Sequence, residues 1–324
     1  MLVLAGLVGA LDARVFTADR YALIITGAAG RPEYAIKYER WCNSLATLLR
    51  ASFRYPDDHV VVLAEEEDRQ TRKPTRENVR AALADLQRRT AADDVVLVLL
   101  IGHGTSGTGA NAPNNDDGAK FNLVGPDLSA DQWAAAIRPI AGRLVFVNST
   151  GGSFPFLQKL SGPGRIVITA TGSTMQEYET IFPEFFVQAF GETAADSDKN
   201  GRVSIWEAFT YASAAVKKWF DVRGQLPTER ALLDDTADGL GREADEPTGA
   251  DGAIARVTYL QPDAPITAPA DSELGALLRR RADTQAQIDL LRARKPNLPD
   301  FEYQTELERL LVELARLDRD IREK

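Results

Sequence analysis

The chain has 324 residues, 44% of them hydrophobic, enough to bury a large α/β core with an appendage. Its net charge is −9 and no basic face gathers along it, which excludes nucleic acid as a partner. The single cysteine, Cys42, excludes an intrachain disulfide and says little about compartment, because a large core needs no staples.

The opening run MLVLAGLVGALDA resembles the apolar region and cleavage site of a signal peptide, without the basic start. Residues 1–19 are therefore read as an N-terminal segment for export to the periplasm or beyond. The alternative is a short N-terminal strand in a cytoplasmic protein. No run of the sequence is long and apolar enough to span a bilayer.

From residue 20 the pattern becomes regular. Residues 21–26 (YALIIT) read as a buried strand, and a helix follows over 34–50 with Trp41, Leu45, Leu48 and Leu49 on one face. Strand VVVLA at 60–64 precedes a helix opened by Pro74 and Thr75 and running to Arg89. Residues 95–101 (VVLVLLI) predict a third buried strand that runs straight into Gly102, His103 and Gly104. After a polar loop the alternation resumes: helix 129–138, strand 144–148, helix 154–160, strand 165–170 and helix 183–190. Continuous apolar strands alternating with amphipathic helices predict a mostly parallel sheet covered on both faces. Functional residues in such sheets gather past the carboxyl ends of strands, where His103 and the Asn148, Ser149, Thr150 run fall.

Residues 221–271 are polar and rich in Pro, Gly and Asp, with one strand-like patch at 253–260, and read as a wrap or linker. Within it, Asp234, Asp235 and Asp238 form an acidic group read as a turn. Residues 272–324 change to Leu, Arg, Ala and Glu. Leu307, Leu310, Leu314, Leu317 and Ile321 follow a heptad seam; Leu274, Leu277, Ile288 and Leu291 share its register, with Arg281 and Thr284 in the gaps. KPNLPD at 295–300 separates two helices, so the end of the chain is an antiparallel helical hairpin. Its seam closes on itself or on a partner.

ADSDKNGRVSIWEAF places Asp196, Asp198, Asn200, Gly201, Ser204 and Glu207 at positions 1, 3, 5, 6, 9 and 12 of an EF-hand-type loop. A hard cation such as Ca²⁺ takes oxygen ligands, and the Arg202 carbonyl at position 7 adds another. Gly201 allows the tight turn, and Val203 can face the core. Six residues at fixed offsets outweigh the alternative of a solvated acidic turn.

His103 suits general acid–base work, since flanking glycines let the backbone turn and present its ring. His59, at the start of a strand, reads as an edge residue. Four segments over residues 20–220 resemble the legumain-type (asparaginyl endopeptidase) cysteine peptidases of the caspase-haemoglobinase fold. They are TGAAGRPEYAIKYERWCNSLATLL, LVLLIGHGTSG, LVFVNSTGGSF and IVITATGSTMQEYE, matching the first strand and helix, the histidine strand, the nucleophile strand and the substrate-binding loop. The resemblance implies a caspase-like three-layer α/β sandwich and His103 as catalytic base. Where the family has Glu-Ala-Cys, this chain has Asn148, Ser149 and Thr150, so a threonine stands at the nucleophile position. Ala29 stands where the family's supporting asparagine would be.

A thiol is partly ionised near neutral pH with a histidine's help; a hydroxyl is not. The expected function is therefore a pseudo-peptidase that binds a peptide or protein partner and calcium. One alternative is a hydrolase using Thr150 or Ser149 with His103 as base and the N–H groups of Gly151 and Gly152 as oxyanion hole. The other is a scaffold that assembles through its helical hairpin.

Overall fold

Unbroken runs of β-branched and leucine side chains form the centre of the molecule. The computed structural model describes residues 18–67, 71–107, 118–246, 249–262, 273–293, 295 and 298–322. The expected export segment, save residues 18 and 19, and the stretch at 263–272 lie outside the described residues.

The first elements in chain order are β1 (Arg20–Thr26), α1 (Pro32–Thr47), β2 (Val60–Leu63), β3 (Thr71–Arg72), α2 (Arg76–Arg89) and β4 (Val95–Ile101). Then come β5 (Gly104–Thr105), β6 (Lys120–Phe121), β7 (Leu128–Ser129), α3 (Ala130–Ile137), β8 (Arg143–Asn148) and α4 (Phe154–Leu160). The last are β9 (Arg165–Thr169), α5 (Phe182–Ala189), α6 (Ile205–Val222), β10 (Leu232–Asp234), α7 (Glu273–Ala293) and α8 (Asp300–Arg322).

Among the described residues, seven strands form one sheet in the order β10-β9-β8-β4-β1-β2-β3, parallel except for β10. Every residue of β4 is buried, as a strand covered on both faces requires. On one face the core joins the sheet to α1, α5 and α6 through Trp41, Leu45, Phe186 and Phe209. On the other it joins the sheet to α2, α3 and α4 through Leu83, Trp133 and Phe156. The α/β sandwich with a mostly parallel sheet is thus the architecture the alternating pattern implies. Helix starts follow local chemistry: Thr75 Oγ1 accepts the Asn78 N–H at 3.2 Å, and Ser129 and Gln132 form a capping box on α3.

Strand order sets the position of the site. The chain leaves β1 toward β2 and leaves β4 toward β8, in the opposite direction, so a crevice opens past the carboxyl ends of β1 and β4. His103 follows β4 into the small antiparallel sheet β5-β6-β7, and Thr150 follows β8, whose Asn148 pairs with Leu100.

Several expectations change. The first helix gives way at Leu48–Ser52 to a π-helical turn. The core does not end at residue 220, because β10 adds an antiparallel strand and Leu233, Ala255 and Leu260 are fully buried. The patch at 253–260 is not a strand. Ala255–Val257 is a 3-10 turn, drawn in by the Asp235 carboxylate on the N–H groups of Gly252 and Ala255, and Tyr259 alone bridges to Ser204. His59 stacks on Tyr21 at 4.2 Å. In the hairpin, Tyr303, Leu310 and Leu317 are buried at heptad spacing, whereas Leu307 and Leu314 are half-buried and Phe301, Leu311 and Val312 are exposed.

Candidate functional site

His103 is half-buried at the rim of the crevice, and α1 supplies its surroundings. Its Nε2 and the Tyr38 hydroxyl share a 3.1 Å hydrogen bond. Tyr34 meets the imidazole edge-on, with ring centroids 4.7 Å apart. Burial, with Glu179 nearby, raises the Tyr38 pKa well above the ordinary phenol range, so this hydroxyl keeps its proton. Nε2 of the imidazole is therefore engaged by a tyrosine hydroxyl.

Ser149 and Thr150 are both 0% exposed. The Ser149 hydroxyl donates to the Leu100 carbonyl at 2.5 Å. Thr150 Oγ1 donates to Asn148 Oδ1 at 2.8 Å and lies 3.1 Å from the Gly151 carbonyl. Asn148 Oδ1 also accepts the Thr150 N–H at 3.2 Å. Among the described residues no hydrogen bond joins either hydroxyl to His103. The structure brings Thr150 beside Gly104, where a Cβ would lie 2.5 Å from Thr150 Oγ1, so only glycine fits after the histidine.

Loop 172–181 closes over this strand end. The Gly152 N–H, expected to serve an oxyanion hole, instead donates to the Gln176 carbonyl at 2.7 Å. Gly152 has φ +64°, a conformation suited to glycine, and a Cβ there would lie 2.7 Å from the Ser106 nitrogen. Thr180 Oγ1 donates to the Ser149 carbonyl, and Ser106 donates to the Glu177 carboxylate. The Tyr178 carbonyl packs on Gly151. Ala29 is buried and its N–H goes to Glu65 Oε2 at 3.0 Å, leaving no side chain to orient an imidazole. Cys42 faces the core at 1% exposure, its thiol pushed up to about 12 by burial.

The 196–207 loop is a separate constellation. Carboxylate oxygens of Asp196, Asp198 and Glu207 lie within 4.8 Å of one another. Asp196 accepts the N–H groups of Asn200 and Gly201 at 3.1 and 2.8 Å, which folds the loop back on itself. Arg202 donates its N–H to Asn200 Oδ1 at 2.9 Å. Glu207, only 5% exposed, accepts from Ser197 N at 2.9 Å and closes a capping box with Ser204. Burial and then the Glu207 charge push the Asp198 carboxyl up, against the pull of its bonds to Asn200. Three gathered carboxylates, one of them pushed up by burial and by a neighbouring charge, are a donor set of the kind a hard cation takes. Where a second EF-hand loop would pair, Ile205 N–H donates to Thr258 O at 2.9 Å beside the Ser204–Tyr259 bridge.

Asp234, Asp238 and Asp251 also gather within 4.8 Å. Asp234 accepts the N–H groups of Thr236, Ala237 and Gly239, so it builds the turn read from the sequence.

No family model matches the chain, and no curated protein sequence matches it. Among solved structures, a protein of Geobacter sulfurreducens is 12% identical over 67% of this chain and 92% of its own, with TM-score 0.42. A secreted C11 cysteine protease of Bacteroides thetaiotaomicron, in complex with an irreversible peptide inhibitor, is 10% identical over 67% of this chain and 66% of its own, with TM-score 0.40. The structure of drICE is 13% identical over 63% of this chain and 84% of its own, with TM-score 0.37.

Sequence reasoning missed Glu229, hidden in a segment whose composition reads as linker. Its carboxylate, 3% exposed, accepts the N–H groups of Ile181 and Phe182 at 2.8 and 3.1 Å, at the start of α5. Burial pushes its pKa up to about 7, above the unfolded value of about 4.5. Between those values the folded chain holds a proton that the unfolded chain has lost, so this group's contribution to stability falls as pH rises. Urea unfolding from pH 5 to pH 8 should show wild type losing on the order of 3 kcal/mol that Glu229→Gln does not lose. Parallel curves for the two proteins would contradict the assignment.

Proposed function

We propose that this chain is a peptidase-fold protein of the caspase-haemoglobinase type that has given up hydrolysis, and that it binds a peptide or protein partner and calcium. The observation that carries the reading is the Thr150 hydroxyl, committed to Asn148 beneath loop 172–181 with His103 turned to Tyr38. A hydroxyl nucleophile must reach its base to about 3 Å and lose its proton as it attacks. Thr150 has neither the contact nor solvent access. The expected N–H of Gly152 is spent on the loop, so a developing oxyanion gains nothing from it. The alternative hydrolase through Ser149 is disfavoured in the same way by its bond to Leu100.

Purified protein should cleave Asn- and Asp-containing peptides no faster than its His103→Ala variant. Robust hydrolysis lost in both Thr150→Ala and His103→Ala would overturn this reading in favour of a hydroxyl nucleophile.

Calcium is assigned to Asp196, Asp198, Asn200, Ser204, Glu207 and the Arg202 carbonyl. Its chemistry there is structural: a dication offsets the like charges that now push Asp198 up and ties α6 to the segment at 258–259. A ligand that binds only the folded state adds about 2.7 kcal/mol at a hundredfold excess over Kd. Calcium should therefore raise the melting temperature, and Glu207→Ala should remove most of the rise. Identical wild-type melting in calcium and in chelator would remove calcium from the account.

A further inference from the structure

Asn200 and Gly201 form the one Asn-Gly pair in the sequence, within the 196–207 loop, and both are exposed to water. An asparagine followed by glycine can lose its side-chain amide to its own backbone, because no Cβ keeps the side-chain carbon from the next nitrogen. Here the loop arranges the reacting groups. Lys199 and Gly201, at φ +57° and +85°, turn the chain tightly on either side of Asn200. Asn200 Oδ1 accepts the Arg202 N–H at 2.9 Å, which folds the side chain back over the Gly201 peptide. The Gly201 N–H, on the nitrogen that must attack, donates to Asp196 Oδ2 at 2.8 Å. The amide nitrogen that must leave donates to Asp198 Oδ2 at 2.9 Å and to the Tyr259 hydroxyl at 3.2 Å. A Cβ at Gly201 would meet nothing within 4 Å, so a ring has room to close there.

We propose that Asn200 is a self-modifying site: its side-chain amide is lost through a cyclic imide with Gly201, and calcium in the loop holds the reaction off. The imide step stands on the geometry alone, and its control by calcium rests on the calcium reading above. The Gly201 nitrogen bonds to Asn200 Cγ as its proton passes to Asp196. The bond from Cγ to the side-chain nitrogen breaks, and that nitrogen takes the proton and departs as ammonia. Water then opens the imide at one of its two carbonyls, its hydroxyl going to that carbon and its hydrogen to the ring nitrogen. No atom is oxidised or reduced. Opening at the side-chain carbonyl leaves aspartate at position 200. Opening at the main-chain carbonyl leaves isoaspartate, with the backbone routed through one more carbon.

Both products bear on the metal. Calcium takes its oxygen ligands at fixed offsets along such a loop. Bound to Asp196 and to Asn200 Oδ1, it would occupy the proton acceptor and pin the amide, so only the empty loop reacts. Aspartate at the fifth loop position keeps the offsets and adds a carboxylate. Isoaspartate shifts the later ligands, Ser204 and Glu207 among them, by one backbone atom, so that chain loses its calcium. Time spent without calcium thereby becomes a lasting loss of affinity for it.

Peptide mapping by mass spectrometry, on protein aged at neutral pH in chelator and in calcium, tests this. In chelator Asn200 should lose its amide ahead of every other asparagine, giving two products of which isoaspartyl methyltransferase labels one. With calcium at a hundredfold excess over Kd, about one loop in a hundred is empty, so the rate should fall about a hundredfold. Asn200→Gln, which needs a larger ring, should stay intact in both solutions. Aged chains carrying isoaspartate should melt at the same temperature in calcium and in chelator. An intact Asn200 in chelator overturns this proposal alone. Equal loss in both solutions, in protein whose melting temperature calcium raises, also overturns it alone; equal loss with no such rise overturns the calcium reading as well. Isoaspartate chains that keep the calcium-induced rise overturn the effect on the metal.

Discussion

The two hydrogen bonds that Asn148 Oδ1 accepts from Thr150 fix the chemistry of this molecule. They turn the threonine hydroxyl along its own strand end rather than outward to His103. Gly104 then packs on Thr150 Oγ1, and loop 172–181 can settle on Gly151 and Gly152 because no side chain stands in the way. With the strand end sealed, His103 makes its hydrogen bond to Tyr38 instead. An acidic residue in place of Asn148 and a thiol in place of Thr150 would meet a different constraint, since a thiolate needs solvent or a histidine to ionise. The bonds of Thr150 to Asn148 and the closure of the loop are thus one packing arrangement.

Around that sealed centre, buried carboxylates tie polar segments to the core. Glu229 holds the start of α5, Asp235 holds Gly252 and Ala255, and Glu207 holds Ser197 and Ser204. Each carboxylate accepts backbone N–H donors, and burial raises the carboxyl pKa of Glu229 and of Asp235. The segment at 223–262 is therefore fastened by polar bonds as well as by the packing of Leu233, Ala255 and Leu260.

The alternating strands and helices were legible because β4, β8 and β9 are buried on both faces and allow no polar residue in their middle. That Asp196, Asp198 and Glu207 would come together was legible because they sit at fixed offsets around one tight turn. β10 was not, since three residues of an edge strand, Leu232, Leu233 and Asp234, carry no periodicity of their own. Glu229 was invisible for a related reason: its partners, Ile181 and Phe182, lie far away in sequence and offer backbone atoms, which composition does not report. The site residues His103, Ser149 and Thr150 were placed at the right strand ends, but the direction of their hydroxyls depends on Asn148 and on loop 172–181. Only the folded chain reveals that.

The closed strand end is tested most directly by placing a thiol there and asking whether solvent reaches it. In the native Thr150→Cys variant, labelling by iodoacetamide at the new position should be no faster than at Cys42, whose thiol is 1% exposed. Denaturant should make both fully reactive. Rapid labelling of the native variant at the new position, slowed by His103→Ala, would mean that the cleft is open and that a histidine–nucleophile pair survives.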